Sequence, residues 1–152
     1  MGKSIIFVYS YHGMSTKKIA NVISAKLSAS VININDNSEN ISLDNYDLVG
    51  FGAGIAAGKH YSKMLKYVEK LPNVQNKRAF IFSTSGMYNE KQIIKNHKTL
   101  KDLLLEKGFT IVDEFGCKGF FYLGFKFLGI NKKNPDSIDL KNAELFAEGL
   151  LR

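Results

Sequence analysis

The stretch Ile5-Ile6-Phe7-Val8-Tyr9-Ser10-Tyr11-His12-Gly13-Met14-Ser15-Thr16-Lys17-Lys18-Ile19-Ala20 decides how this chain folds. An unbroken apolar run reads as a strand buried on both faces, the kind a parallel sheet needs. It breaks into a hydroxyl- and glycine-bearing turn and opens directly into an amphipathic helix, with Ile19, Ala20, Val22, Ile23 and Leu27 at helical spacing. At a helix start the first backbone N–H groups lack intrahelical partners and the helix dipole adds partial positive charge. An anionic group held there satisfies both, so the turn has the make-up of a phosphate cradle. Ser10, Ser15 and Thr16 add hydroxyl donors, and Gly13 lets the chain approach a ligand closely.

Working outward, short runs rich in Val, Ile and Phe and bounded by turn residues predict strands at 3–9, 30–34, 46–52, 78–83 and 109–115. Helical spacing predicts helices at 16–28, 59–70 and 90–107, the last closing on a Lys107-Gly108 exit. A final helix is expected from near Asp136, after Pro135, to Leu150. Asp36 to Asp44 is polar and without periodicity, so the second crossover reads as a loop. Strands alternating with helices imply parallel pairing, because a parallel connection must cross over and a helix is the usual crossover. In a doubly wound sheet of this kind ligands bind outside the carboxyl ends of the strands. Three turn-like segments fall there: Ser10 to Ser15, Gly52 to Gly58, and Ser83-Thr84-Ser85-Gly86-Met87-Tyr88-Asn89.

The chain of 152 residues has no Pro- or Gly-rich linker and is expected to form a single domain over 1–152. Its hydrophobic fraction of 45% and charged fraction of 23% are those of a soluble globular protein. No apolar stretch approaches the roughly 18–20 residues that a membrane span needs. No membrane partner is expected, and the first apolar segment is too short for a secretory signal. The one cysteine, Cys117, excludes an internal disulfide and fits a reducing cytoplasm; beside Gly116 and Gly119 it reads as a buried, inert thiol. A net charge of +7 favours negatively charged partners, yet the lysines are spread along the chain and no dense tract of the nucleic-acid type is present. His60 and His97 read as isolated, and Glu106, Asp113 and Glu114 as surface charges; with no Cys or His at ligand spacing, no metal site is expected.

On these three loops the chain resembles the flavodoxin family over essentially its whole length. The resemblance implies a flavodoxin-like three-layer α/β sandwich, with a five-stranded parallel sheet of order 2-1-3-4-5 and helices on both faces. It implies FMN as cofactor. The family's first loop, approximately Ser/Thr-x-x-Gly-x-Thr, is filled by Ser10, Gly13 and Ser15, with Tyr11, His12 and Met14 between them. Ser15 departs from the usual threonine but keeps the hydroxyl. The third-strand loop supplies Gly54, Ile55, Ala56, Ala57 and Gly58, and Ala56-Ala57-Gly58 stands where related sequences carry a Tyr-Phe-Gly step. In the family a flexible peptide of this loop presents its carbonyl to the flavin, a movement that Gly54 or Gly58 permits. The fourth-strand loop supplies Thr84, Ser85 and Gly86, whose backbone addresses the pyrimidine edge of the ring. Tyr88 and the cluster Phe120, Phe121 and Tyr122 are candidate stacking rings.

Competing doubly wound folds fail on residues their chemistry requires. A response-regulator receiver needs acidic residues after the first strand and an aspartate ending the third, where this chain has Tyr9-Ser10 and Gly52. A low-molecular-weight tyrosine phosphatase needs a cysteine and an arginine in the first loop. Neither is there, nor is a P-loop or a Gly-x-Gly-x-x-Gly fingerprint. Three functions remain: an FMN electron carrier, an FMN-dependent oxidoreductase acting on a quinone or other organic acceptor, and a module with a weakened flavin site. The first is expected, with a redox partner protein that the basic charge makes acidic and ferredoxin-like.

Overall fold

The computed structural model describes residues 2–10, 15–35, 41–86, 89–119, 121–122, 129–130 and 134–152, the short 121–122 and 129–130 segments by backbone only. Strand β1 (Lys3–Tyr9) feeds helix α1 (Ser15–Leu27), and the chain returns as β2 (Ser30–Asn33), paired parallel to β1 from Ile5↔Ser30 to Val8↔Asn33. Strand β3 (Tyr46–Ala56) lies on the other side of β1 and turns back as the two-residue strand β4 (Lys59–His60). Helix α2 (Ser62–Glu69) crosses to β5 (Lys77–Ser85). A 3-10 turn at Glu90–Gln92 and helix α3 (Ile93–Lys107) cross to β6 (Phe109–Lys118). A small β7 (Phe121–Tyr122) and β8 (Gly129–Ile130) ribbon precedes the closing helix α4 (Ser137–Leu150).

The sheet runs β2-β1-β3-β5-β6, so the five parallel strands stand in the order 2-1-3-4-5, with β4 antiparallel to the end of β3. The three central strands are buried along most of their length, as unbroken apolar runs require. Alternation divides their side chains between two cores. Ile5, Phe7, Val49, Phe51 and Ile81 pack with Met64, Val68, Leu100 and Leu104 of α2 and α3. Ile6, Val8, Leu48, Phe80 and Phe82 pack with Ile19, Ile23, Ala143 and Ala147 of α1 and α4. On this second face the rings of Phe80 and Phe82 lie across β3, where a Cβ at Gly50 or Gly52 would stand 2.3 Å and 2.2 Å from ring carbons. Only glycine leaves that room.

Helix ends follow the sequence signals. Gly108 closes α3 in a left-handed conformation with φ 103°, and Asp136 caps α4 in a reciprocal box with Asp139. Strand ends differ from expectation. The third strand continues through Ala56, the fourth through Ser85 and the fifth through Lys118, because parallel ladders extend to Gly54↔Thr84 and Ser85↔Lys118. The segment expected as an open loop after the third strand is therefore a hairpin: Ile55 pairs with His60 and Ala56 with Lys59. That ladder also draws Lys59 and His60 out of the expected helix, which starts at Ser62. Among the described residues no helix is long and apolar enough to cross a membrane.

Candidate functional site

The carboxyl edge of the sheet brings three elements together at the start of α1. Ser10, Ser15, Thr16 and Thr84 are all buried there. Ser10 Oγ accepts the Lys17 backbone N–H at 3.3 Å, meeting one of the first-turn donors. Thr16 Oγ1 lies 2.8 Å from Thr84 Oγ1, tying the first turn of α1 to the end of β5. The exit of β6 closes the corner: the Gly119 N–H donates to Ser85 O at 3.1 Å. A Cβ at Gly119 would stand 2.8 Å from Thr84 Cβ and 3.1 Å from Ser15 Cβ. The sequence pattern marked Ser10, Ser15, Thr16 and Thr84; their convergence is a product of the ladder register. Tyr11, His12, Gly13, Met14 and Tyr88 lie outside the described residues, as does Phe120, and the side chains of Phe121 and Tyr122 lie outside them too.

At the β3–β4 hairpin the connecting residues are only Ala57 and Gly58, with φ 54° and 78°. Two positive φ values in a two-residue loop match the type I′ turn, which suits strand twist and normally takes Asn or Gly first. Gly58 takes a left-handed φ that favours glycine. Gly54 does not turn; it is a ladder residue, and its missing side chain makes room for Tyr61, whose ring carbon would lie 2.8 Å from a Cβ. Tyr61 in turn meets Tyr9 edge to face at 5.8 Å. Tyr9, Ala56, Lys59, His60, Tyr61 and Lys63 line a cleft of about 390 Å³ beside the hairpin.

His60 and His97 are not isolated, and Glu114 is not a simple surface charge. Both imidazoles are fully buried, with ring centroids 4.9 Å apart and planes tilted by 45°. His60 Nε2 lies 3.0 Å from the Phe82 carbonyl oxygen. His97 Nδ1 lies 3.0 Å from Glu114 Oε1, and its Nε2 2.7 Å from Ser83 Oγ. Lys101 Nζ donates to Glu114 Oε2 at 3.0 Å. The hydrogen bond from His97, with that from Lys101, holds the Glu114 carboxyl below its ordinary range. Burial pushes His60 down to about 3, so its ring is neutral at physiological pH. The order Ser83-His97-Glu114 is that of a nucleophile triad, yet burial of both Ser83 and His97 keeps a substrate from the serine. The array braces α3 to β5 and β6. One sequence signal pointed to it: His97 stands in the helical register of Leu100 and Leu104, the buried stripe of α3. Cys117 is buried as expected, and burial raises its thiol well above the ordinary range.

A five-stranded parallel sheet of order 2-1-3-4-5, with hydroxyls gathered at the start of the first helix, defines a flavodoxin-like domain. The chain belongs to the flavodoxin family, whose flavodoxin domain model matches residues 5–119. An uncharacterized protein of Methanocaldococcus jannaschii is 44% identical over 152 residues, with 99% of each chain covered. The fold is that of oxidised flavodoxin 1 from Bacillus cereus, at TM-score 0.70 and 16% identity, covering 96% of this chain and 95% of that one. It is also that of a Fusobacterium nucleatum flavodoxin bound to flavin mononucleotide, at TM-score 0.67 and 14% identity, covering 97% and 96%.

Proposed function

We propose that this chain is an FMN-binding electron-transfer protein. The convergence of buried Ser10, Ser15, Thr16 and Thr84 on the N-terminus of α1 carries this reading. Hydroxyls are costly to bury unless bonded, and a dianionic phosphate is the acceptor that a cluster of O–H and helix N–H donors fits. The donor set therefore suits the group, and the FMN-bound flavodoxin of the same fold supports the identity of the ligand. When bound, FMN supplies transfer of one or two electrons, and no side-chain nucleophile is needed.

The chain's own residues hold and orient. Ser10 keeps the first turn of α1 in place through the Lys17 N–H. The Thr16–Thr84 bond fixes the distance between the phosphate corner and the end of β5, where the Ser85 and Gly86 backbone would address the flavin ring. The Ala57–Gly58 peptide is the element with freedom to reorient its carbonyl beside that ring. Exposed Lys18, Lys59, Lys63, Lys91 and Lys118 lie on or next to the ends of elements at this edge, which favours an acidic, ferredoxin-like partner and docking that weakens with salt. A lone, buried Cys117 supports a cytoplasmic setting.

Titrating FMN with the purified chain tests the reading by fluorescence. Quenching at one flavin per chain is expected, with Ser10→Ala and Ser15→Ala each weakening affinity about tenfold or more, the scale of one hydrogen bond to a charged group. Riboflavin, lacking the phosphate, should bind far more weakly. FMN left unquenched, or riboflavin bound as tightly as FMN, contradicts the proposal.

A further inference from the structure

Three strands that reach the site edge meet at one side chain. His97, fully buried on α3, touches β4, β5 and β6 at once. Toward β6, the Glu114 carboxyl is held below its ordinary range by the bonds from His97 and Lys101, so it is ionised at neutral pH and can only accept. His97 Nδ1 therefore carries a proton and donates it to Glu114 Oε1 at 3.0 Å. Nε2 is left to bond Ser83 Oγ of β5 at 2.7 Å. Toward β4, the ring centroid lies 4.9 Å from that of His60. His60 is itself tied to β5: a carbonyl oxygen can only accept, so its ring proton sits on Nε2 and is donated to Phe82 O at 3.0 Å. Each of these strands leads directly to the site. His60 follows the Ala57–Gly58 turn, Ser83 precedes Thr84 and the Ser85–Gly86 turn, and β6 runs on to Gly119, whose N–H meets Ser85 O. Alternation along β5 sends Ser83 to the α3 side and Thr84 to the α1 side, so successive residues of one strand are gripped from opposite faces.

We propose that His97 is a positioning residue for the edge that receives the flavin ring: it holds the base of the Ala57–Gly58 hairpin and the Ser85–Gly86 turn at a fixed separation, while the hydroxyl corner grips the phosphate from the other face. The proposal rests on the FMN reading for what the two loops receive. Apolar packing alone lets strand ends slide; hydrogen bonds have direction, and a buried side chain bonded through both ring nitrogens admits one arrangement of its partners. With the hairpin base fixed through His60, only the Ala57–Gly58 tip is left to turn.

Ser83→Ala removes the bond to β5 with little change in volume, and His97→Gln removes the ring that faces His60 as well. Both are compared with the parent chain in two measurements. Without flavin, amide hydrogen exchange followed by NMR should quicken about tenfold at Tyr61 and Gly119, whose N–H groups bond Gly54 O and Ser85 O, and stay unchanged at the centres of β1 and β3. With flavin, both variants should weaken FMN and riboflavin by the same factor, about threefold to tenfold, whereas Ser10→Ala weakens FMN alone. A role in stability alone would leave both affinities unchanged, since it is the folded chain that binds. Glu114→Gln keeps an oxygen for the Nδ1 proton and should stay near the parent in both measurements; Glu114→Leu keeps none and should follow His97→Gln. Exchange that quickens evenly over the sheet, or not at all at the hairpin, overturns the proposal. So do unchanged flavin affinities, or a loss confined to FMN, which would place His97 with the phosphate corner. Should the parent bind no FMN, the cofactor reading fails, and the exchange result still decides whether His97 holds the two loops.

Discussion

Two corners of the same sheet edge handle buried polar groups in opposite ways. At the start of α1 the hydroxyls close on their surroundings: Ser10 accepts from Lys17, and Thr16 and Thr84 bond to each other. At the β3–β4 hairpin, groups from β4, β5, α3 and β6 form a longer array that satisfies His97, Ser83 and Glu114 and, among the described residues, leaves one nitrogen of His60 unmet. The first corner joins a helix start to the end of β5 through one hydroxyl pair, and only the Ser10–Lys17 contact is local. The second is assembled across distant segments, and its His60 proton is committed to a β5 carbonyl.

Both corners rest on β5, so the largest expected effect comes from removing what positions that strand. Phe82→Ala deletes a fully buried ring on the α1/α4 face, beside the carbonyl that fixes the His60 tautomer. It should cost about 3–5 kcal/mol in urea unfolding. Gly52→Ala should cost about 1–3 kcal/mol in the native chain, because its Cβ meets the Phe82 ring. In the Phe82→Ala background that ring is gone, and most of the penalty should vanish. Additive costs would break the claim that Gly52 is kept for the ring.

A smaller effect separates the corners by pH. The folded chain holds His60 near 3, well below its unfolded value of 6.5, because burial disfavours the imidazolium. Between those values the unfolded state binds the extra proton, so this contribution is fully present above pH 6.5 and is lost as pH falls toward 3. Glu114, also depressed, adds loss in the same direction from about its unfolded value of 4.5 downward. Stability should therefore decline as pH falls from 6.5 to 5, the slope from His60 alone steepening from about 0.7 toward roughly 1.4 kcal/mol per pH unit. The His60 ring resonances should stay at their neutral positions through pH 5. A His60 titration midpoint near 6.5 would contradict the buried, tautomer-fixed ring.

The contrast also explains which parts of the molecule could be read in the sequence. The strand-turn-helix opening, the helix caps at Gly108 and Asp136 and the buried central strands are local patterns, and each appears where the residues predict it. Strand ends were less legible because ladder pairing, a property of neighbours, carries β3 to Ala56 against β4 and β5 to Ser85 against β6, past the residues that look like turns. Ser10 and Ser15 could be named in advance since hydroxyls beside a helix start have a local reason to be there, whereas Thr84 was named only through the family resemblance of its loop. The pairing of His60 with His97, and of His97 with Glu114, has no local signature. A single histidine in an apolar register says that it is buried, not what it meets.

The smallest expected effect tests whether the hairpin is strained where the hydroxyl corner is relaxed. Ala57 occupies a left-handed conformation at φ 54°, which costs a residue with a Cβ about 1 kcal/mol and which Asn tolerates through its short polar side chain. Ala57→Asn should therefore stabilise the chain by about 0.5–1 kcal/mol, seen as a rise in melting temperature of about 1–4 °C. It touches no hydroxyl of the phosphate corner, so FMN affinity through that corner should be preserved. A variant less stable than the parent would mean that the Ile55–His60 ladder does not hold Ala57 left-handed in solution. The hairpin would then be freer than the register implies, and the rigid wall it gives the cleft would be lost with it.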